Sequence, residues 1–278
     1  MKIIIFIFIV SCISCNSDKR TKNFPKETNY VVNFPKKENV WAFLMAGQSN
    51  MVGEAFVSPK DTIPNKRILS INSHNKLIEA KEPLHFYEPN FAGLDCGVSF
   101  SKTLISLNIP DSISILIIPT AVGGSSIEDW INDNTYRKVK LLTNFKNKVE
   151  IGKKYGEIKG ILWHQGETDA IANSDNYQWN LTKLTKKFRT IVNDKELPIL
   201  IGELGSFNEN NEKWQKINDA IHKYIKTDSN SLYIKAQDLT DKGDGLHFDA
   251  KSQRILGERF AESYLKLSKA AHKTHISY

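Results

Sequence analysis

Continuous apolar runs alternate along this chain with segments whose apolar residues recur every three or four positions. Val40 to Ala46 is apolar throughout and reads as a buried strand. Arg67 to Ile71, Ser112 to Ile118, Ile158 to Trp163, Leu197 to Ile201 and Leu232 to Ile234 are further strands of the same kind. Between them, Ser99 to Leu107, Arg137 to Tyr155, Tyr177 to Val192, Glu212 to Ile225 and Ala250 to Leu267 carry helical spacing. A strand apolar on both faces must be covered on both, and an amphipathic helix needs a face to cover. The alternation therefore predicts a parallel sheet lying between two layers of helices.

Polar residues break this pattern where strands end. Gln48-Ser49, Gly123-Gly124-Ser125-Ser126, His164-Gln165-Gly166-Glu167 and Glu203 all follow predicted strands, and a parallel sheet gathers those ends on one edge, where ligands bind. Ser49 follows Gly47 in a Gly-x-Ser turn, where a hydroxyl often does no more than cap the next helix. Asp244-Gly245-Leu246-His247 changes that balance by adding an imidazole and a carboxylate to orient it, so that Ser49, His247 and Asp244 can act as nucleophile, base and orienter. Gln165 is placed to donate its amide N–H to a developing oxyanion, a contribution of about 3 to 4 kcal/mol when well aimed, or else to tie loops together. Glu167 with Asp169 resembles a glycosidase carboxylate pair, but that reading leaves Ser49 and His247 without roles.

Composition adds the setting. The formal net charge of +7 comes from lysines scattered among acids and asparagines, which describes a solvated surface better than a nucleic-acid footprint. Ile3 to Val10, after Lys2, is too short to span a bilayer, which takes roughly 20 residues, but suits an export signal. Ile9-Val10-Ser11-Cys12 and Cys12-Ile13-Ser14-Cys15 both resemble a lipoprotein lipobox, so Cys12 or Cys15 is the expected lipidation site of an exported cell-envelope protein held to its membrane by that anchor alone. The expected organisation is a signal over 1–15, a polar tether over 16–37 and one domain over 38–270. Cys96 is then left without a disulfide partner and reads as a small buried hydrophobe. The histidines show no metal-ligand spacing, and neither metal nor cofactor is expected.

Gly47-Gln48-Ser49-Asn50-Met51, Ala121 to Ile127, Trp163 to Glu167 and Asp244 to Phe248 together resemble the sequence blocks of carbohydrate acetylesterases related to sialate O-acetylesterase and acetyl xylan esterases, in the SGNH hydrolase superfamily. The likeness runs from about Val40 to Leu267. It implies a three-layer, flavodoxin-like α/β/α fold, an acetylated carbohydrate as substrate, and the same roles for Ser49, His247 and Asp244; the alternative is a non-catalytic glycan-binding lipoprotein on the same fold, which would have no need of all three residues. It also implies an oxyanion hole made by the Ser49 N–H, a glycine for which Gly97 is the candidate, and the Gln165 side chain. Gln48, Asn50, Gly124 and Glu167 flank these residues as supporting candidates, with Glu167 a possible competitor of Asp244 for His247.

Overall fold

The computed structural model describes residues 20–107, 109–209 and 211–275, with side chains described as far as residue 269. The export signal, Cys12 and Cys15 lie outside the described residues. Nine strands and eight α-helices occur among those described: β1 (Val40–Gly47), α1 (Ser49–Val52), β2 (Ile68–Ile71), β3 (Leu77–Glu79), α2 (Gly97–Ser106), β4 (Ser114–Pro119), α3 (Ile127–Ile131), β5 (Thr135–Tyr136), β6 (Val139–Lys140), α4 (Leu141–Tyr155), β7 (Glu157–His164), α5 (Glu167–Ile171), α6 (Tyr177–Val192), β8 (Ile199–Gly202), α7 (Asn211–Ile225), β9 (Ser231–Ile234) and α8 (Ala250–His275). Seven strands form one sheet in the order β3-β2-β4-β1-β7-β8-β9. Every pairing in it is parallel except β2 with β3.

The alternation of side chains along β1 builds both outer layers. Ala42, Leu44 and Ala46 join the core under α3, α4, α6 and α7, where Trp130, Trp163 and Phe188 meet edge to face. Phe43 and Met45 point the other way, into the core under α2 and α8, where Phe43 meets Phe100 and Tyr264, each at 4.8 Å between ring centres. Each such buried side chain contributes roughly 1.5 to 3 kcal/mol. The three-layer α/β/α expectation holds. From β1 the chain builds β2 and β4 on one side and β7, β8 and β9 on the other, which opens a crevice beyond the carboxyl end of β1.

Two local expectations change. The helix predicted from Arg137 starts at Leu141, because the Asp133 carboxylate accepts the Thr143 N–H at 2.7 Å and its hydroxyl at 2.6 Å, capping the helix there. The residues before it form the β5–β6 hairpin, turned at Arg137 and Lys138 with φ of 44° and 68°. Strand β3, too short to be read from its sequence, pairs antiparallel to β2. From residue 20 the chain expected as a tether lies along the domain, with the Val31 N–H on the Leu77 carbonyl at 3.3 Å and the Glu79 N–H on the Asn29 carbonyl at 2.8 Å, covering the outer edge of β3. Cys96 is buried, and burial, more than the nearby Asp95 and Glu82 carboxyls, pushes its thiol pKa well up. No helix among the described residues is long and apolar enough to cross a membrane.

Candidate active site

Strand β1 ends at Gly47, opposite His164 of β7. A Cβ on Gly47, whose φ is 140°, would lie 2.0 Å from the His164 carbonyl oxygen, so only glycine fits the approach. The next turn presents Ser49 as the first residue of α1. Its Oγ lies 3.0 Å from His247 Nε2, and His247 Nδ1 lies 2.7 Å from Asp244 Oδ2. With Nδ1 donating to the carboxylate, the Nε2 lone pair faces the serine hydroxyl. Partial burial would raise the Asp244 pKa, but hydrogen bonds from the His247 N–H, the His247 ring and the Leu246 N–H outweigh it and hold the carboxyl at about 2.

Asn50 fastens the loop that carries His247 to the turn that carries Ser49. Its Nδ2 donates to the Leu246 carbonyl at 3.1 Å, and its Oδ1 accepts the Phe248 N–H at 3.0 Å, so it grips the chain on both sides of His247. The Asn50 carbonyl in turn accepts from Gln253 Nε2 of α8 at 2.9 Å. Within the loop, Asp241 accepts the Gly243 and Gly245 N–H groups at 2.8 and 2.7 Å.

Ser49 and His247 open into a cleft of about 270 Å³, with Gln48, Gly124 and Glu167 among its lining residues and Phe91, Ile171 and Arg137 around it. Gly124 has φ of 79°, and among the described residues neither its N–H nor that of Ser49 has an acceptor. The Gln48 Oε1 receives Gln165 Nε2 at 3.1 Å, the Thr168 N–H at 3.3 Å and the Gly166 N–H at 3.4 Å. Three converging donors fix which end of that amide is the oxygen, and they leave Gln48 Nε2 without a protein acceptor among the described residues. A larger groove of about 720 Å³, lined by Lys37, Glu157 and Asn193, holds no nucleophile and base pair.

Gln165 and Gly97 are not brought into this cleft. Gln165 is fully buried, and its Nε2 donates to Gln48 Oε1, to the Ser125 carbonyl at 3.2 Å and to Asp169 Oδ2 at 2.6 Å, while its Oε1 accepts the Tyr177 hydroxyl at 3.1 Å. Burial raises the pKa of Asp169 despite the Gln165 hydrogen bond. Gly97 opens α2 within the core, with its N–H on Asp95 Oδ1 at 2.7 Å and no space beside it for a Cβ, which would lie 2.6 Å from Met45 Sδ. The Glu167 Oε1 accepts the Asn50 amide at 2.6 Å and lies 3.8 Å from His164 Nδ1, so Glu167 is turned to Asn50 rather than to His247, and its buried Oε2 has no hydrogen-bond partner among the described residues. His164, with its pKa lowered by burial, keeps Nε2 on the Glu203 carbonyl at 2.9 Å.

Other residues arrive that the sequence reading did not single out. Glu54 Oε1 lies 3.5 Å from His247 Nε2, and Lys242 Nζ lies 3.0 Å from Glu54 Oε2 and 3.4 Å from Asp244 Oδ2. A charge two residues past α1, in the otherwise apolar run Met51 to Val57, was the available signal for Glu54. Arg137 pairs with the buried Glu88 and stacks over Phe91 at 5.3 Å, and Glu88 also accepts the Gly123 N–H. Among the described residues no group of three or more His, Cys, Asp or Glu is arranged to hold a metal ion.

The family model described as carbohydrate esterase, sialic acid-specific acetylesterase matches residues 39–266. A probable carbohydrate esterase of Arabidopsis thaliana is 29% identical over 242 residues, which is 80% of this chain and 89% of that protein. The X-ray structure of that Arabidopsis protein superposes with a TM-score of 0.72, covering 82% of this chain and 98% of its own. NanS, at 17% identity, superposes with a TM-score of 0.69 over 86% of this chain and 100% of its own. A carbohydrate acetylesterase from Xanthomonas citri, at 19% identity, gives 0.64 over 84% of this chain and 57% of its own, and these two likenesses are ones of fold. With the match spanning the domain, the chain belongs to the carbohydrate esterase family of the sialic acid-specific acetylesterase type, and it is a carboxylic ester hydrolase.

Proposed function

We propose that the protein is a serine esterase that removes O-acetyl groups from acetylated carbohydrates, with Ser49 as nucleophile, His247 as base and Asp244 as its orienting carboxylate. The observation that carries this reading is the unbroken hydrogen-bonded line from Asp244 through His247 to Ser49, at 2.7 and 3.0 Å, ending in the cleft. His247 Nε2 takes the hydroxyl proton as Ser49 Oγ attacks the ester carbonyl. The same nitrogen returns the proton to the leaving sugar oxygen, and a water molecule activated in the same way then hydrolyses the acetyl-enzyme. The negative charge that develops on the carbonyl oxygen needs donors with no other acceptor. The N–H groups of Ser49 and Gly124 meet that description, and so does the Gln48 amide, which the buried Gln165 holds in orientation.

The cleft, at about 270 Å³, is at the small end of ligand sites, which run from about 300 to 1,000 Å³, and this favours a short acyl group. Export and a lipid anchor at Cys12 or Cys15 belong to the same reading, supported by the apolar run before them, and incorporation of a labelled fatty acid into the wild-type chain but not into Cys-to-Ala variants tests it. The activity is tested by acetate release from acetylated xylan and from O-acetyl sialic acid, together with labelling by a serine-reactive fluorophosphonate. Stoichiometric labelling of Ser49 that abolishes acetate release is the expected result. Release that survives full labelling defeats the assignment.

A further inference from the structure

We infer that Glu54 sets the substrate class of this cleft, favouring acetyl esters of neutral, hydroxyl-bearing sugars over those of sugars that carry a carboxylate, an inference that rests on the serine esterase reading. The argument starts from the path of the leaving group. To be protonated, the sugar oxygen released from the ester must reach His247 Nε2, the atom that Ser49 Oγ contacts at 3.0 Å. Glu54 Oε1 stands 3.5 Å from that same nitrogen. It therefore borders the space that the sugar must occupy, on the alcohol side of the scissile bond.

The surroundings of Glu54 pair one of its oxygens and leave the other facing the cleft. Lys242 Nζ lies 3.0 Å from Glu54 Oε2, both side chains are largely buried, and Oε1 is left as the oxygen 3.5 Å from the His247 imidazole. A ring hydroxyl one carbon from the ester meets in Oε1 a charged acceptor, the stronger kind of hydrogen bond. A carboxylate on the substrate meets the opposite. Glu167, a second acid of the lining, has a buried oxygen without a partner among the described residues. The cation of the lining, Arg137, is already paired with Glu88, whose other oxygen binds the Gly123 N–H. Among the described residues that line the cleft no unpaired Lys or Arg faces an anionic sugar, and in a partly enclosed cleft like charges repel more strongly than in open water. Phe91 and Ile171, 51% and 61% exposed, give the apolar face of a sugar ring a surface to lie on without adding charge.

The experiment compares kcat/KM of the full chain for a monoacetylated methyl xyloside and for O-acetyl sialic acid, with an aryl acetate as a common reference. Wild type should prefer the neutral sugar by at least about tenfold, the effect of one unfavourable charge contact. Glu54→Gln should shrink that ratio by about the same factor. As a check that does not depend on the variant folding, raising the salt concentration should narrow the wild-type ratio by screening the repulsion. The inference is overturned if Glu54→Gln, folded by its melting curve, leaves the ratio unchanged or lowers all three substrates equally, for then Glu54 acts through His247 and not on the sugar. It is equally overturned if the wild type prefers the anionic sugar. Loss of the esterase reading looks different: no substrate, the aryl acetate included, would then be turned over in a Ser49-dependent way.

Discussion

Two polar clusters stand side by side at the carboxyl edge of the sheet, built from similar chemistry and differing in what covers them. One joins Asp244, His247 and Ser49 and opens into the cleft. The other joins Gln165, Asp169, Ser125 and Tyr177, and its hydrogen bonds close on one another in the buried interior. Both pair a carboxyl with a polar side chain at a strand end. In the first, Ser49 and His247 are left with a free side toward the cleft. In the second, the Gln165 amide has its protons taken by protein acceptors, and of these only Gln48 reaches the cleft lining. A polar group at a strand end is thus poised for chemistry only when its last hydrogen-bonding direction points out of the fold.

The comparison breaks most directly at Ser49. Ser49→Ala should lower kcat for an aryl acetate by at least about 10³-fold with an unchanged melting temperature, and preserved turnover would remove the opening cluster from the chemistry. Asp244→Asn should follow, with a fall of up to about 10⁴-fold from a mis-set imidazole tautomer, whereas Glu167→Gln should cost less. The Asp244 pKa, about 2 in the folded chain, lies below the ordinary value of about 3.9. Its contribution to stability is therefore complete above about pH 4 and is lost as the pH falls towards 2. Since Asp244 stays ionised from pH 4 upward, Asp244→Asn should depress the whole pH–rate profile across that range. A loss confined to the acid limb would contradict this.

Asn50→Ala should lower kcat by about 10- to 100-fold, since it frees the loop that holds His247 and a small misplacement of a base is costly. An unchanged kcat would show that the loop holds its own shape. Gln165→Ala should invert the pattern: most activity retained, and stability lost by about 1 to 3 kcal/mol for each buried partner left unpaired. Its melting temperature and kinetics, measured together, decide the point, for a large fall in kcat with an intact melting temperature would return the oxyanion role to Gln165. The smallest effect belongs to Glu82, fully buried beside Asp95, where burial first and the Asp95 carboxyl second push its pKa well up. A raised carboxyl stabilises fully below its unfolded value, about 4.3, and loses that contribution as the pH rises through the folded value. Glu82→Gln, which keeps the neutral form, should therefore gain in melting temperature relative to wild type as the pH is raised; a gap that does not widen would count against it.

The sheet and its two layers were legible because burial on both faces writes itself into uninterrupted runs such as Val40 to Ala46. Ser49, Asp244 and His247 were legible for the opposite reason, as polar residues in turns that only the edge of the sheet could gather. Depth was not legible. The position of Gln165 after β7 places it at the edge but does not say whether its amide faces cleft or core, which Tyr177 and Asp169 from later helical turns decide. Nor was Arg137, since its apolar neighbours continue a helical period and the capping by Asp133, which ends that period, is a contact across ten positions. Gly97 shows the same limit: a glycine can answer a packing need, here against Met45 and Leu84, as readily as a backbone one.

The grip of Asn50 on the loop around His247 also has a consequence in time. Ser49 and His247 are 198 positions apart, and the clasp that joins their turns is completed by Gln253 of the last helix. On the proposed mechanism a serine hydroxyl without its imidazole is an ordinary alcohol, so Ser49 gains its reactivity only once the distant segment that carries His247 and Gln253 has docked on its turn.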